Sequence, residues 1–104
     1  MILTTTETFP GRTYEVLGIV KGSTVQTVNA VRDIGASLKT LVGGEVIKYN
    51  ELMNTARALA TKRMCEEAEE MGADAVICVR YSSASIMQGA AEVMAYGTAI
   101  VFTA

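Results

Sequence analysis

Between Tyr49 and Met71, apolar residues recur at steps of three and four along the chain. This spacing places them along one side of an α-helix of about six turns. The opposite side is polar, and Gly72 predicts the helix end because glycine accepts the left-handed conformation there. A long helix with one apolar side needs a sheet or another helix to cover that side.

Three segments predict the strands of such a sheet. Residues alternate from Tyr14 to Lys21, and Gly22-Ser23 predicts the end of that strand. The apolar run from Ala75 to Val79 is typical of a strand buried on both faces, and a polar loop is predicted from Arg80. The last strand is predicted from Ala91 to Thr103, with a bulge or close backbone approach at Gly97.

Two further elements complete the predicted fold. Thr4 to Thr6 predict a short edge strand before a turn at Pro10-Gly11. An earlier helix, which Gly43-Gly44 ends, is predicted by helical spacing of Val28, Val31, Ile34, Leu38, Leu41 and Val42. The predicted fold is α+β, a single domain over residues 1–104 with a three-stranded, mainly antiparallel sheet backed by two helices.

The balance of apolar and charged residues predicts self-association. Half of the 104 residues are hydrophobic and 19% are charged, against about 25% in an average domain. A chain of this size buries only about 65% of its unfolded surface, so part of the apolar complement stays outside its own core. Large exposed apolar patches mark partner surfaces, and we therefore expect a homo-oligomer.

Charge and composition make several classes of function unfavourable. The net charge is −2 and no Lys/Arg cluster occurs, which argues against nucleic-acid binding. The longest uncharged tail, residues 93–104, is shorter than the ~20 residues of a membrane-spanning helix. The start shows no basic region typical of a signal peptide, so a cytoplasmic location is expected. The absence of histidine removes the commonest general base and metal ligand.

The two cysteines lie in the segment RMCEEAEEMGADAVICVRY, which starts at Arg63. They form no CxxC pair, so the preferred interpretation is a helix running into a strand with two incidental thiols, Cys78 being buried. Cys78 stays a metal candidate. The glutamates that follow Cys65 predict a solvated helix face. Glu67 is the exception, because it falls on the apolar side of the helix, which we call the apolar stripe, and it is expected to pair with Arg63.

A second group of polar residues breaks the local apolar pattern. Glu92 falls on the same strand face as Met94, Tyr96, Ile100 and Phe102, where a carboxylate needs a partner such as Arg80 or Arg32. Asp33 and Tyr49 add further polar groups. If these residues converge at a subunit boundary they form either a structural network, which we favour, or a site for a small polar ligand. No activated nucleophile or paired general base accompanies them, so no enzyme is expected.

Several motifs along the chain resemble the YbjQ family of small bacterial and archaeal proteins. They are TTTETFPG, GIVKGSTV, RDIGASL, LVGGE, the helix start at Tyr49-Asn50-Glu51-Leu52, GADAV and EVMAYGTAIVF. The resemblance implies a dodecin-like β-α-β-β subunit in a ring-shaped homopentamer, and a heavy-metal-binding label without an established activity.

The resemblance also narrows the candidate site. The positions that match the family pattern include Arg32, Asp33, Glu45, Tyr49, Glu92 and Tyr96, whereas both cysteines lie outside it. Oxygen ligands such as Glu45 and Glu92 would suit a hard divalent cation.

Three hypotheses follow for the function. The first is a non-enzymatic oligomeric binding or scaffold protein without an evident cofactor, whose small ligand sits at a subunit interface or in the centre of the ring. The second is binding or sequestration of a divalent or heavy metal. The third is an enzyme that uses Glu92 and Tyr96 at a subunit interface.

Overall fold

A computed structural model describes the backbone of residues 1–27, 44–87 and 90–104, and their side chains except at 27, 44–46, 48 and 49. The described elements are β1 (Ile2–Leu3), β2 (Tyr14–Thr27), α1 (Gly44–Glu70), β3 (Ala75–Met87) and β4 (Ala90–Phe102). The strands form one four-stranded sheet in the order β1-β3-β4-β2. The α+β class is confirmed.

The sheet is mixed and mainly antiparallel. Strand β4 is central and pairs antiparallel with both β2 and β3, while β1 pairs parallel with β3. The prediction of three strands is wrong because Ile2 and Leu3, just before the predicted edge strand at Thr4–Thr6, add a fourth. Of the two predicted helices, the first lies outside the described residues.

Helix α1 packs on one face of the sheet through small side chains. Ala56, Ala60, Met64 and Ala68 follow each other every four residues and are fully buried. Beneath them lies Gly22, where an added Cβ would overlap the Ala60 carbonyl oxygen and the Met64 amide nitrogen. Glycine at this position lets the helix backbone approach the strand closely.

Glycine also ends the helix as predicted. Gly72 has a φ of 81°, its N–H donates to the Glu69 carbonyl, and the Ala73 N–H donates to the Ala68 carbonyl. These two bonds form a Schellman motif, which satisfies carbonyls at the helix end. At the other end, α1 begins at Gly44, five residues before Tyr49.

Two strands run farther than predicted. Strand β2 continues through Gly22 and Ser23 to Thr27, and the alternation of buried Val20, Gly22 and Thr24 continues with it. Strand β3 continues past Val79 to Met87, where the sequence predicted a polar loop. In both cases pairing with the long strand β4 supplies hydrogen bonds that local residue preference does not reveal.

A second, smaller core lies on the sheet face opposite α1. Ala75, Ile77 and Ile100 are buried there, and Phe9, Tyr14, Cys78 and Phe102 pack against them. The ring of Phe9 lies 4.9 Å from that of Phe102, and the Arg12 guanidinium lies 4.0 Å over the Phe102 ring. The segment between β1 and β2 thus covers one end of this face.

A bulge in β3 accompanies the second core. The register with β4 shifts between Ile77 and Arg80, and Cys78 has a left-handed φ of 57°. Its amide donates to the Thr6 carbonyl and that of Val79 donates to the Thr4 carbonyl. Across this bulge lies Gly97, where a Cβ would sit 2.6 Å from Val76 Cγ1 and 2.9 Å from the Ile77 carbonyl oxygen, so the predicted close approach at Gly97 is confirmed.

The part of the chain that the structure describes holds no helix with both the length and the apolarity of a membrane span.

Candidate functional site

Two of the predicted site residues, Glu92 and Tyr96, lie on the face of the sheet that α1 does not cover, next to the second core. Glu92, Met94 and Tyr96 of β4 lie on this face, which we call the open face. Paired residues of an antiparallel sheet point to the same side, so the flanking strands contribute their register partners. These partners are Val25, Ser23 and Lys21 of β2, and Ala84, Ser82 and Arg80 of β3.

Glu92 lies half-buried at one end of the open face. Its register partners are Val25 and Ala84, which offer its carboxylate no charge. The suggested pairing with Arg80 is wrong. Arg80 lies opposite Tyr96 instead, and its Nη1 donates to the carbonyls of Thr5 and Val79, both at 2.9 Å.

Tyr96 lies four residues farther along β4, on the same face as predicted. At about 3.3 Å per residue, the Cα atoms of Glu92 and Tyr96 are about 13 Å apart, and Met94 lies between them. The two residues of one subunit therefore cannot act on the same reacting atom. An acid-base role for the pair requires Glu92 and Tyr96 from different copies.

The remaining predicted site residues cannot be placed against this pair. Arg32 and Asp33 lie outside the described residues. Glu45 and Tyr49 belong to the first part of α1, and their side chains are not among those described.

The two cysteines lie on opposite sides of the sheet. Cys65 is half-buried on α1, and Cys78 packs into the second core on the far face. Partial burial, with a smaller contribution from Glu69, raises the pKa of the Cys65 thiol and disfavours the thiolate that binds metals. Within residues 1–27, 44–87 and 90–104, no three Cys, Asp or Glu side chains are grouped to hold a metal ion. The predicted helix-to-strand arrangement of this segment is confirmed, with Cys65 less exposed and Cys78 less buried than expected.

Arg63 and Glu67 each form a hydrogen bond to the backbone of β2, instead of the pairing with each other that the sequence predicts. The Arg63 Nη1 donates to the Ser23 carbonyl at 2.6 Å, and the Lys21 N–H donates to Glu67 Oε1 at 3.3 Å. Strand β2 is an edge strand, so these charged side chains satisfy backbone groups that would otherwise be open to another strand. Glu67 is half-buried as its position in the stripe predicts.

Lys21, Ser23 and Ser82 complete the open face and were not predicted as site residues. The predicted strand ended at Lys21 and the predicted loop began at Arg80, so the register of Ser23 and Ser82 with β4 was hidden. The alternation of Val20, Gly22 and Thr24, all small or β-branched, was the signal for a longer strand.

The exposed apolar side chains concentrate on the outer strands. All seven residues from Tyr81 to Met87 are exposed. The Tyr81 hydroxyl is hydrogen-bonded to Thr61 Oγ1 of α1 at 2.8 Å. Beyond this contact α1 lies over β2 and β4, so Ser82 to Met87 have no covering layer among the described residues. Large apolar residues of the outer strands that are exposed by half or more are Ile2, Val16, Ile19, Val25, Ile86 and Met87.

Comparisons with known proteins agree with this fold. A family model described as "Putative heavy-metal-binding" matches residues 1–103. A UPF0145 protein of Clostridium novyi is 55% identical over 100 residues, which are 96% of this chain and 97% of the relative. A UPF0145 protein of Thermotoga maritima is 55% identical over 101 residues, with 96% of this chain and 95% of the relative covered.

A crystal structure from Pediococcus pentosaceus shares the fold. It belongs to the DUF74 family and its function is unknown; its TM-score is 0.72 at 18% identity, and the match covers 99% of this chain and 98% of that one. The match of the family model over nearly the whole chain confirms the resemblance of its motifs, and this chain belongs to the YbjQ family of UPF0145 proteins.

Proposed function

We propose that this protein is a non-enzymatic binding or scaffold protein of the cytoplasm that works as a homo-oligomer. The subunits assemble as a dodecin-like ring, for which the family resemblance suggests five copies. A small polar ligand is bound on the open face, where a neighbouring subunit completes the site.

The observation that carries the proposal is the uncovered half of β3. Six consecutive strand residues, Ser82 to Met87, have a neighbouring strand on one side and no covering layer among the described residues. Ile86 and Met87 within it are 52% and 65% exposed. An exposed strand edge with apolar side chains favours pairing with another chain, and a second copy is the simplest such chain.

Charge on the edge of β2 supports specific rather than indiscriminate pairing. Arg63 and Glu67 occupy the backbone groups of Ser23 and Lys21. The middle of this edge is therefore closed to a new strand, while Ile19 and Val25 on either side stay exposed at 77% and 54%. Such protection restricts the register in which two copies can meet.

Native mass spectrometry of protein purified without chelator tests assembly and retained ligand together. The wild type is expected as one oligomer, and Ile86→Glu is expected to dissociate it because the charge would have to be buried. Ile47→Glu is the matched control, since Ile47 is 59% exposed on α1. A monomeric wild type, or equal loss of assembly in both variants, would contradict an interface at β3.

Metal binding is the second candidate, which the description of the matching family model favours. No group of three ligands occurs within the described residues. A metal site that uses Cys78 or Glu92 would therefore take further ligands from another copy or from the rest of the chain. Thermal unfolding with zinc or cadmium tests metal binding. The metal should raise the melting temperature of the wild type and of Cys65→Ala, and Cys78→Ala or Glu92→Gln should remove this stabilisation. Absence of any metal-dependent shift would oppose it.

A further inference from the structure

Two basic side chains flank an aromatic ring across the middle of the open face. Arg80 of β3 and Lys21 of β2 are the register partners of Tyr96 on β4. Partners on neighbouring strands lie about 5 Å apart at Cα, so the two basic residues are about 10 Å apart with the ring between them. Lys21 and Arg80 are exposed, and Tyr96 is 39% exposed.

The next row of the same face supplies hydroxyl groups. Ser23 and Ser82 are the register partners of Met94, and both serines are exposed. Neither row contains a carboxylate, and Glu92 lies one row beyond. Glu67 approaches Lys21 from the helix side, where it accepts the backbone N–H rather than facing the ring. The centre of the open face is thus locally cationic on a chain whose net charge is −2.

The guanidinium of Arg80 is held in place before any ligand arrives. Its Nη1 donates to the carbonyls of Thr5 and Val79, so two hydrogen bonds from this one nitrogen tie the guanidinium to the backbone. An ordered guanidinium loses less conformational entropy on binding an anion than a free one. Guanidinium and ammonium groups form their strongest hydrogen bonds with anionic oxygens.

We infer that the open face binds a phosphorylated small molecule. The phosphate lies over the middle of this face within reach of the long side chains of Lys21 and Arg80, with a hydroxyl donor from Ser23 or Ser82, and a flat apolar part of the ligand packs against Tyr96 and Met94. A phosphate presents more anionic oxygens than a single carboxylate, in a tetrahedral arrangement that can meet donors from several directions. This inference rests on the proposed binding function and names its ligand class.

Calorimetric titration with phenyl phosphate tests the inference, because this probe combines a phosphate with a flat ring. We expect saturable binding in the millimolar range that weakens as sodium chloride is added. Lys21→Gln should weaken it about tenfold, the loss expected for one charge-assisted hydrogen bond. Lys62→Gln removes the same charge from an exposed position of α1 and should leave the affinity within about twofold.

Two additional variants keep the test independent of folding and assembly. Tyr96→Leu should weaken phenyl phosphate more than inorganic phosphate, because only the former uses the ring. Native mass spectra of Lys21→Gln should show the wild-type oligomer, so lost binding with retained assembly isolates the ligand site. No saturable binding by the wild type, or equal weakening by Lys21→Gln and Lys62→Gln, would overturn the inference even if the oligomer forms.

Discussion

Replacing Gly22 by alanine tests how closely α1 packs on the sheet. The added Cβ would overlap two backbone atoms of the helix, the Ala60 carbonyl oxygen and the Met64 nitrogen, and lie 2.7 Å from Arg63 Cβ. Reaching an ordinary 3.4 Å separation from Arg63 alone requires a shift of about 0.7 Å. Backbone atoms cannot rotate aside, so the helix must move as a unit. Overpacking of this kind costs about 3 kcal/mol.

Part of that cost is offset, because alanine in a strand is about 0.5–1 kcal/mol more favourable than glycine. The net loss in the free energy of unfolding is therefore about 2 kcal/mol, which corresponds to a melting temperature lower by about 8–16 °C.

Urea denaturation followed by circular dichroism, at one protein concentration throughout, measures this loss. Ser23→Ala is the control, since Ser23 is the next residue and its side chain is exposed, and it should change stability by less than about 0.5 kcal/mol. A Gly22→Ala protein as stable as the Ser23→Ala protein would refute the close packing of α1 on β2.

Three further outcomes follow from the described side chains. Cys78→Val should destabilise by about 1–3 kcal/mol in urea denaturation while Cys78→Ala costs less, because a β-branched residue is strained at the left-handed φ of 57°; equal stability of the two variants would contradict this backbone. Phe9→Ala should cost about 2 kcal/mol through lost packing on Phe102, and Thr8→Ala, whose side chain is exposed, should cost much less; comparable melting temperatures would exclude Phe9 from the second core. Burial raises the pKa of Cys65, so the folded protein holds this proton more tightly than the unfolded chain. The stability contributed by the neutral thiol is present below the unfolded pKa and is lost as pH rises through the folded pKa. In a Cys78→Ala background, Cys65 should react with iodoacetamide more slowly when folded than when unfolded at pH 8; a faster folded reaction would refute the shift.

The regular parts of the fold were predictable because their signals are local. The stripe that ends at Gly72 marked α1, and the apolar run from Ala75 marked the start of β3. Strand ends were not predictable in the same way. Gly22 was interpreted as a turn residue, whereas the structure uses its missing Cβ for helix packing, which depends on residues nearly forty positions away.

The candidate site was predictable only where it depends on alternation along one strand. Glu92 and Tyr96 share a face because both lie at even steps of β4. Their partners depend on register. The bulge at Cys78 places Arg80 opposite Tyr96, whereas the register of Ile77 with Thr98, continued without a bulge, would place Arg80 opposite Ala95 on the face that α1 covers. A left-handed cysteine has no signal in the sequence, since that conformation is imposed by contacts with Thr4 and Thr6.

Sedimentation velocity of dilute wild-type protein tests most directly whether copies of this chain cover the apolar residues of its outer strands. The proposal predicts one species with several times the subunit mass of 11.1 kDa, even at low micromolar concentration. A folded species of subunit mass, stable without any partner, would contradict the proposal.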